Sequence, residues 1–137
     1  MVTGLDGKEY KFNPAFQSHR VYRENKSSFH IKARELLKQT YKHEVILEEI
    51  TLPGSNTDRR KSLLYVDFYI PRLGTGIEIH GQQHYEFSQF FHKDKREFLL
   101  AKKRDRDKKE WFEMNDPKLI ILPYMELDKW EKLLLTS

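Results

Sequence analysis

Residues 62–85, SLLYVDFYIPRLGTGIEIHGQQHY, contain two apolar runs separated by only a few residues, and this spacing is the strongest constraint on the fold. The two runs predict strands over Leu63–Ile70 and Gly76–His80. The segment between them contains a proline and a glycine and is too short for a crossover helix, so the two strands should form a hairpin. Such a hairpin places Asp67 and Glu78 on neighbouring strands.

Side chains alternate along a strand, which predicts the faces of the hairpin. Glu78 and His80 share a face of the second strand, whereas Val66 and Phe68 of the first strand are assigned to the face opposite Asp67. One acid from each strand and an imidazole can therefore converge. Two carboxylates among apolar residues are costly to bury without a compensating cation, and magnesium prefers hard oxygen ligands of this kind. The alternative is that both acids are ordinary solvated strand residues.

The segment before the hairpin predicts a helix over about Phe29–Lys42, capped by serines, and a strand over Glu44–Ile50. Alternation along this strand puts Glu49 on the face of Leu47 and opposite the neighbouring isoleucines. Glu49 is our preferred third acid beside the two hairpin acids. Glu35 on the helix is the alternative, although helical winding sets it roughly opposite the apolar stripe.

After the hairpin the sequence predicts a helix over about Asp94–Met114, an apolar strand over Lys118–Leu122 and a last helix over about Glu126–Leu134. A run at 102–109 contains six basic residues in eight: Lys102, Lys103, Arg104, Arg106, Lys108 and Lys109. Such a run is usually a solvated helix face, but beside a carboxylate site it becomes a surface for a phosphate backbone. The whole order, hairpin, α, β, β, β, α, β, α, predicts an α/β fold with a mixed sheet flanked by helices.

A chain of 137 residues is long enough for one domain, with residues 1–26 as an N-terminal hairpin and connector. The absence of cysteine excludes disulfides and thiolate metal sites. The formal net charge of +4 favours an anionic partner such as nucleic acid. No apolar run is long enough to span a bilayer and the N-terminus has no apolar signal core, so we expect a soluble, unexported, cytoplasmic protein without a membrane partner.

Four segments together resemble the PD-(D/E)XK nuclease superfamily: LYVDFYIP at 64–71, IEIHGQQHY at 77–85, FFH at 90–92 and RDRDK at 104–108. More narrowly, they look like a phage-associated branch that is similar to the EDxHD homing endonucleases and the very-short-patch repair nuclease. The resemblance covers about residues 27–124. It implies a restriction-endonuclease-like fold and magnesium-dependent hydrolysis of DNA phosphodiester bonds by a phage or mobile-element (homing-type) endonuclease, with manganese as a substitute for magnesium.

The resemblance also implies roles for residues of the hairpin. Asp67 and Glu78 match the two motif acids and would be metal ligands. His80 stands where the superfamily usually has a lysine. A histidine of ordinary pKa is largely neutral at pH 7, so it is better suited than lysine to be a general base or a ligand.

Further matches with the branch lie after the hairpin and before it. Gln83 and His84 match its Gln-His pair, which would position the attacking water or protonate the leaving oxygen. Asp105 and Lys108 match an Asp and a Lys on the following helix, with the role of Asp105 left open. Glu49 matches the leading Glu of the branch.

Two other functions remain open at this point. The first is a catalytically degenerate DNA-binding module, which is suggested by the absence of the usual lysine. It would bind DNA in a salt-sensitive way without cleaving it. The second takes His80, His84 and His92 as a transition-metal site, as in nucleases with a ββα-metal fold. The strand character of the residues before His80 disfavours this second alternative.

The chain offers no separate DNA-reading domain, which bears on its oligomeric state. Cuts on both strands would be simplest for a symmetric homodimer, and high site specificity would need dimerisation or a partner. An aromatic patch is the candidate interface, with core packing as the alternative; its members are Phe87, Phe90 and Phe91.

Overall fold

A computed structural model of the chain describes residues 1–17, 27–89 and 92–136. Within these residues the strands are β1 (Val2–Thr3), β2 (Glu9–Tyr10), β3 (Leu47–Thr51), β4 (Tyr65–Ile70), β5 (Thr75–His80) and β6 (Lys118–Pro123), and the α-helices are α1 (Ser28–Thr40), α2 (Lys95–Met114) and α3 (Trp130–Leu135). The predicted order of elements is confirmed. Much of the predicted connector, together with Phe90 and Phe91 of the aromatic patch, lies outside the described residues. None of the described helices combines the length and the apolar character that a membrane crossing requires.

The main sheet has the order β3-β4-β5-β6. Strands β3, β4 and β5 are antiparallel neighbours, whereas β6 runs parallel to β5. The described residues therefore form a mixed α/β fold with a four-stranded mixed sheet and three α-helices. The predicted hairpin is confirmed: Ile70 pairs with Thr75 and Phe68 with Ile77. Its turn is a short 3-10 segment, Pro71–Leu73, followed by Gly74 at φ 55°, a left-handed conformation that glycine adopts without strain.

The helices cover both faces of the sheet. One core joins α1 and α3 to the sheet and contains Ala33, Leu37, Phe68, Ile70, Ile77, Ile79, Ile120, Leu122, Trp130 and Leu134. The other core lies under α2 and contains Leu47, Ile50, Leu52, Leu64, Val66, Tyr69, Trp111 and Phe112, together with Val2. Gly76 allows α2 to approach β5 closely, because a Cβ at this position would lie 2.7 Å from Cζ of Phe112. The close approach brings the inner side of α2 over the predicted acids.

In the paired strands β3 and β4, side chains do not alternate regularly between the two faces of the sheet. Leu47 and Ile50 both belong to the core under α2, and so does Val66, although Phe68 belongs to the core under α1 and α3. The prediction that Leu47 and Ile50 lie on opposite faces is therefore wrong, and so is the prediction that Val66 and Phe68 share a face. The cause in β3 is Glu49, whose φ of 53° is the single positive value outside glycine among the described residues. A left-handed residue inside a strand redirects the side chains that follow it.

Candidate functional site

Asp67 and Glu78 lie where β4 and β5 stop pairing through their backbones. The last backbone pair is Phe68 with Ile77. Beyond this pair the side chains of the two acids accept hydrogen bonds from backbone N–H groups. The backbone N–H of Ile79 donates to Oδ2 of Asp67 at 2.9 Å, and the N–H of Asp67 donates to Oε1 of Glu78 at 3.3 Å. The structure thus brings together the two acids that the hairpin predicted.

Glu78 is the more buried of the two acids, with 2% of its surface exposed. Burial, and then the negative charge of Asp67, raises the pKa of Glu78 well above its ordinary value, while Lys108 opposes this rise. Nζ of Lys108, on α2, donates to Oε2 of Glu78 and lies 5.7 Å from the ring centre of Tyr65. Two adjacent acids in an apolar setting therefore require positive charge, and Lys108 supplies one unit of it.

A stacked pair of histidines lies beside the acids. The rings of His80 and His84 are 4.1 Å apart at an angle of 8°, and Nδ1 of His84 is 2.9 Å from Oδ2 of Asp105. Burial, and then the charge of His84, lowers the pKa of His80 to about 4, so His80 is neutral at pH 7. Burial alone would raise the pKa of Asp105, but the hydrogen bond from His84 and the nearby cations bring it below its ordinary value. Asp105 is therefore an anion, and its Oδ2 accepts a hydrogen bond from the Nδ1–H of His84.

Among the described residues, one group of three possible metal ligands lies close together. Its members are His80, His84 and Asp105, and their ligand atoms lie within 4.8 Å of one another. A metal ion lies in the plane of the imidazole that binds it, and two nearly parallel stacked rings do not share such a plane. Proton transfer suits this group better than a shared ion does. His92 is not a member, because it packs against Phe87 and Phe98, so the predicted three-histidine site is not formed.

Three further predicted site residues lie in three different places: Glu49 on β3, Gln83 after β5 and Glu35 on α1. Glu48 pairs with Phe68 and Ile50 with Val66, a register that sets Glu49 opposite Asp67. The side chain of Gln83 lies over Gly81, where a Cβ would be 2.6 Å from its Oε1. Glu35 is exposed on α1, which covers the other face of the sheet from Glu78. Of the two alternatives for a third acid, Glu49 is thus the one whose backbone lies opposite Asp67 on the neighbouring strand.

The basic run at 102–109 does not form one continuous surface. Lys108 turns inward to Glu78, and Lys102 packs over the rings of Tyr85 and Phe98 at 5.6 and 5.7 Å. The remaining basic residues of the run are half-buried or exposed: Lys103, Arg104, Arg106 and Lys109. The two acids of the run also turn inward, Asp105 to His84 and Asp107 to Arg60 of the loop before β4, at 2.8 Å. Arg60 therefore anchors this loop to α2.

A buried ionic network that the sequence analysis missed fixes the start of β3. The carboxylate of Glu48 accepts hydrogen bonds from Nε and Nη2 of Arg34 at 2.7 and 2.8 Å and from Nε2 of His30 at 2.8 Å. Arg34 is 3% exposed and His30 stacks on Phe68. A signal was present in the sequence, since His30 and Arg34 lie three positions before Ala33 and Leu37 on the apolar stripe of α1. Polar residues on a buried stripe indicate a hydrogen-bonded partner.

The left-handed conformation of Glu49 yields a stability prediction. A left-handed conformation costs an L-residue about 1–2 kcal/mol, and glycine avoids this cost. Part of the gain is offset by the greater freedom of glycine in the unfolded chain, so Glu49→Gly should be more stable than Glu49→Ala by about 1 kcal/mol. Both variants remove the carboxylate, which makes alanine the matched control. Urea unfolding measures the difference, and equal stability of the two variants would show that the backbone at this position is unstrained.

Two viral proteins match part of the chain. It is 40% identical over 65 residues to "Uncharacterized protein 307L" of Invertebrate iridescent virus 6 and 38% identical over 61 residues to "Uncharacterized protein 033L" of Invertebrate iridescent virus 3. These matches include 47% and 44% of this chain but only 33% and 31% of the viral proteins, so the chain spans about a third of the length of the curated relatives it matches. No family model matches the chain, and no solved structure matches it either. Function has to be inferred from the site itself.

Proposed function

We propose that this protein is a magnesium-dependent DNA endonuclease of restriction-endonuclease-like fold, of the homing or mobile-element type, which hydrolyses phosphodiester bonds. The observation that carries the proposal is the meeting of Asp67 and Glu78 at the end of an antiparallel hairpin, with Lys108 bound to one of them. A histidine oriented by an acid, His84 with Asp105, lies next to this cluster. Acids that can hold a metal ion, an ammonium and an oriented imidazole are groups that can catalyse phosphodiester hydrolysis.

The donor set fits magnesium. Asp67 and Glu78 present carboxylate oxygens from neighbouring strands. Burial, and then the charge of Asp67, raises the pKa of Glu78, and a bound cation would offset both effects. Magnesium, when bound, would polarise the scissile phosphate and lower the pKa of a coordinated water. Lys108 has a flexible stem that allows its ammonium to pair with Glu78 or with a phosphate oxygen. It would supply, from α2, the positive charge that the superfamily places where this chain has His80.

His84 is best placed to accept the proton of the attacking water. Because the Nδ1–H of His84 donates a hydrogen bond to Asp105, the lone pair of His84 lies on Nε2, and this is the tautomer of a general base. His80, neutral at pH 7, stacks on His84 and holds its ring in place. The role left open for Asp105 is thus proposed to be the orientation of His84.

The basic residues of α2 divide according to their direction. At 100° per residue, Lys102, Arg104 and Lys109 lie within about 90° of the direction midway between Asp105 and Lys108, which both point into the site. These three residues flank the acids and would contact the backbone of the cleaved DNA, chiefly through non-specific charge interactions. Apart from Lys108, which enters the site, the other basic residues of the helix point away from it.

The test is cleavage of supercoiled plasmid and of a branched DNA with magnesium, with manganese and with chelator. The wild type should nick DNA with either metal and not with chelator, and Asp67→Asn should lose nicking while it retains salt-sensitive binding. Failure of the wild type to cut any substrate with either metal, with binding retained, would overturn the nuclease proposal. In that case a catalytically degenerate DNA-binding module, with His80 in place of the usual lysine, would be the better description.

A further inference from the structure

The side of α2 that points away from the site carries basic residues around an exposed leucine. Leu99 is 63% exposed. At 100° per residue, four basic residues surround it on the helix surface, at positions four and three before it and four and seven after it: Lys95, Arg96, Lys103 and Arg106. We call these five residues the outer face. Its centre lies about 150° around the helix from the midpoint of Asp105 and Lys108.

The outer face is basic because the structure separates the charges of α2. Asp105 and Asp107, which alternate with basic residues in the sequence, point inward to His84 and Arg60. Lys103 is 3.9 Å from Asp107, yet 44% of its side chain remains exposed. Glu110, further along the helix, marks the C-terminal limit of the basic surface. The outer face therefore keeps a concentrated positive charge, because the two aspartates are engaged by Arg60 and His84.

We propose that the outer face binds a second segment of duplex DNA, so that one molecule holds two duplex segments together. A helix of this width fits the major groove, where its basic residues reach the phosphates on either side and Leu99 makes apolar contact with base edges. The first segment is the one held at the carboxylate site, and to this extent the inference rests on the proposed function. The favoured substrates are DNAs in which two duplexes lie close together, such as branches and crossings.

Other occupants of the outer face fit less well. An amphipathic helix that binds a membrane surface needs a wide apolar face, whereas Leu99 is surrounded by cations. A second copy of the chain related by two-fold symmetry would bring the same basic residues against one another. Duplex DNA matches both the charge and the shape of the surface.

The experiment measures capture of a labelled duplex by a duplex fixed to beads, in chelator so that nothing is cleaved. The test variant is Lys95→Glu with Arg96→Glu; acids in the first turn of α2 favour the helix, so the fold is retained. The charge-matched control is Lys129→Glu with Lys132→Glu, two exposed residues at the other face of the sheet. Capture by the test variant should fall about tenfold or more, while plasmid nicking with magnesium stays within about twofold of the wild type and the control keeps both.

Equal capture by wild type and test variant, or an equal loss in the control, would overturn the inference. So would sedimentation with anionic phosphatidylglycerol vesicles in place of DNA capture, or a wild type that captures DNA only as a dimer that the test variant does not form. Capture that depends on the outer face in a protein that nicks no DNA would uphold this inference and refute the proposed function. Nicking without capture would do the reverse.

Discussion

Glu78→Gln should reduce cleavage by about 10³-fold or more and leave the protein folded. Glutamine has the size and shape of glutamate, so the buried space is filled, but its carboxamide is a weaker ligand for a hard cation. Loss of a metal contact removes several kcal/mol of transition-state stabilisation, and each 1.4 kcal/mol corresponds to about a tenfold change in rate. The measurement is the initial rate of plasmid nicking at saturating magnesium, with the midpoint of thermal unfolding as the check on folding.

The matched control is Glu113→Gln, which makes the same chemical change at an exposed position of α2. It should nick at the wild-type rate, since surface substitutions of this kind are close to neutral. A Glu78→Gln variant that keeps a tenth or more of the wild-type rate would show that Glu78 is not needed for the reaction. Loss of activity together with loss of the thermal transition would instead assign Glu78 to the fold.

The hairpin could be predicted because its determinants are local. Two apolar runs and a turn too short for a helix specify antiparallel pairing of β4 with β5, and the pairing specifies that Asp67 and Glu78 meet. The break in alternation could not be predicted in the same way. Nothing in EVILEEI distinguishes Glu49 from its neighbours, although Glu49 has a left-handed φ of 53° and the adjacent Glu48 is bound to Arg34 of α1, a contact far apart in the sequence.

Roles that arise from contacts far apart in the sequence were harder still to predict. Lys108 lies 30 residues after Glu78, and only the packing of α2 on Gly76 brings the two side chains together. Position 80 suggested that a lysine had been lost, while the structure places an ammonium at the same cluster from another element. The basic run was also harder to interpret from the sequence, because it looks like one charged surface. The winding of α2 divides its basic residues into an inner, a flanking and an outer set.

The network of Arg34, His30 and Glu48 should make a large contribution to stability. Glu48→Ala deprives the buried Arg34 guanidinium of the carboxylate to which it donates two hydrogen bonds. Removal of one partner from a buried ion pair costs about 3–5 kcal/mol. A loss of this size is a large part of the 5–15 kcal/mol that stabilises a typical domain. Urea unfolding at pH 7 measures it, and a loss below about 1 kcal/mol would show that Arg34 is satisfied without Glu48.

The same carboxylate should make the protein sensitive to acid. Burial alone would raise the pKa of Glu48, but hydrogen bonds from His30 and Arg34 outweigh burial and lower it from 4.5 to about 2. Because the pKa is lowered on folding, the stabilisation is complete above pH 4.5 and is lost as the pH falls toward 2. Glu48→Gln keeps an acceptor but has no such titration, so its stability should fall less than that of the wild type between pH 7 and pH 3.

The double variant Arg34→Met with Glu48→Leu replaces the pair by apolar side chains. It should recover much of the stability that Glu48→Ala loses. If it does not, the pair is required for packing as well as for charge.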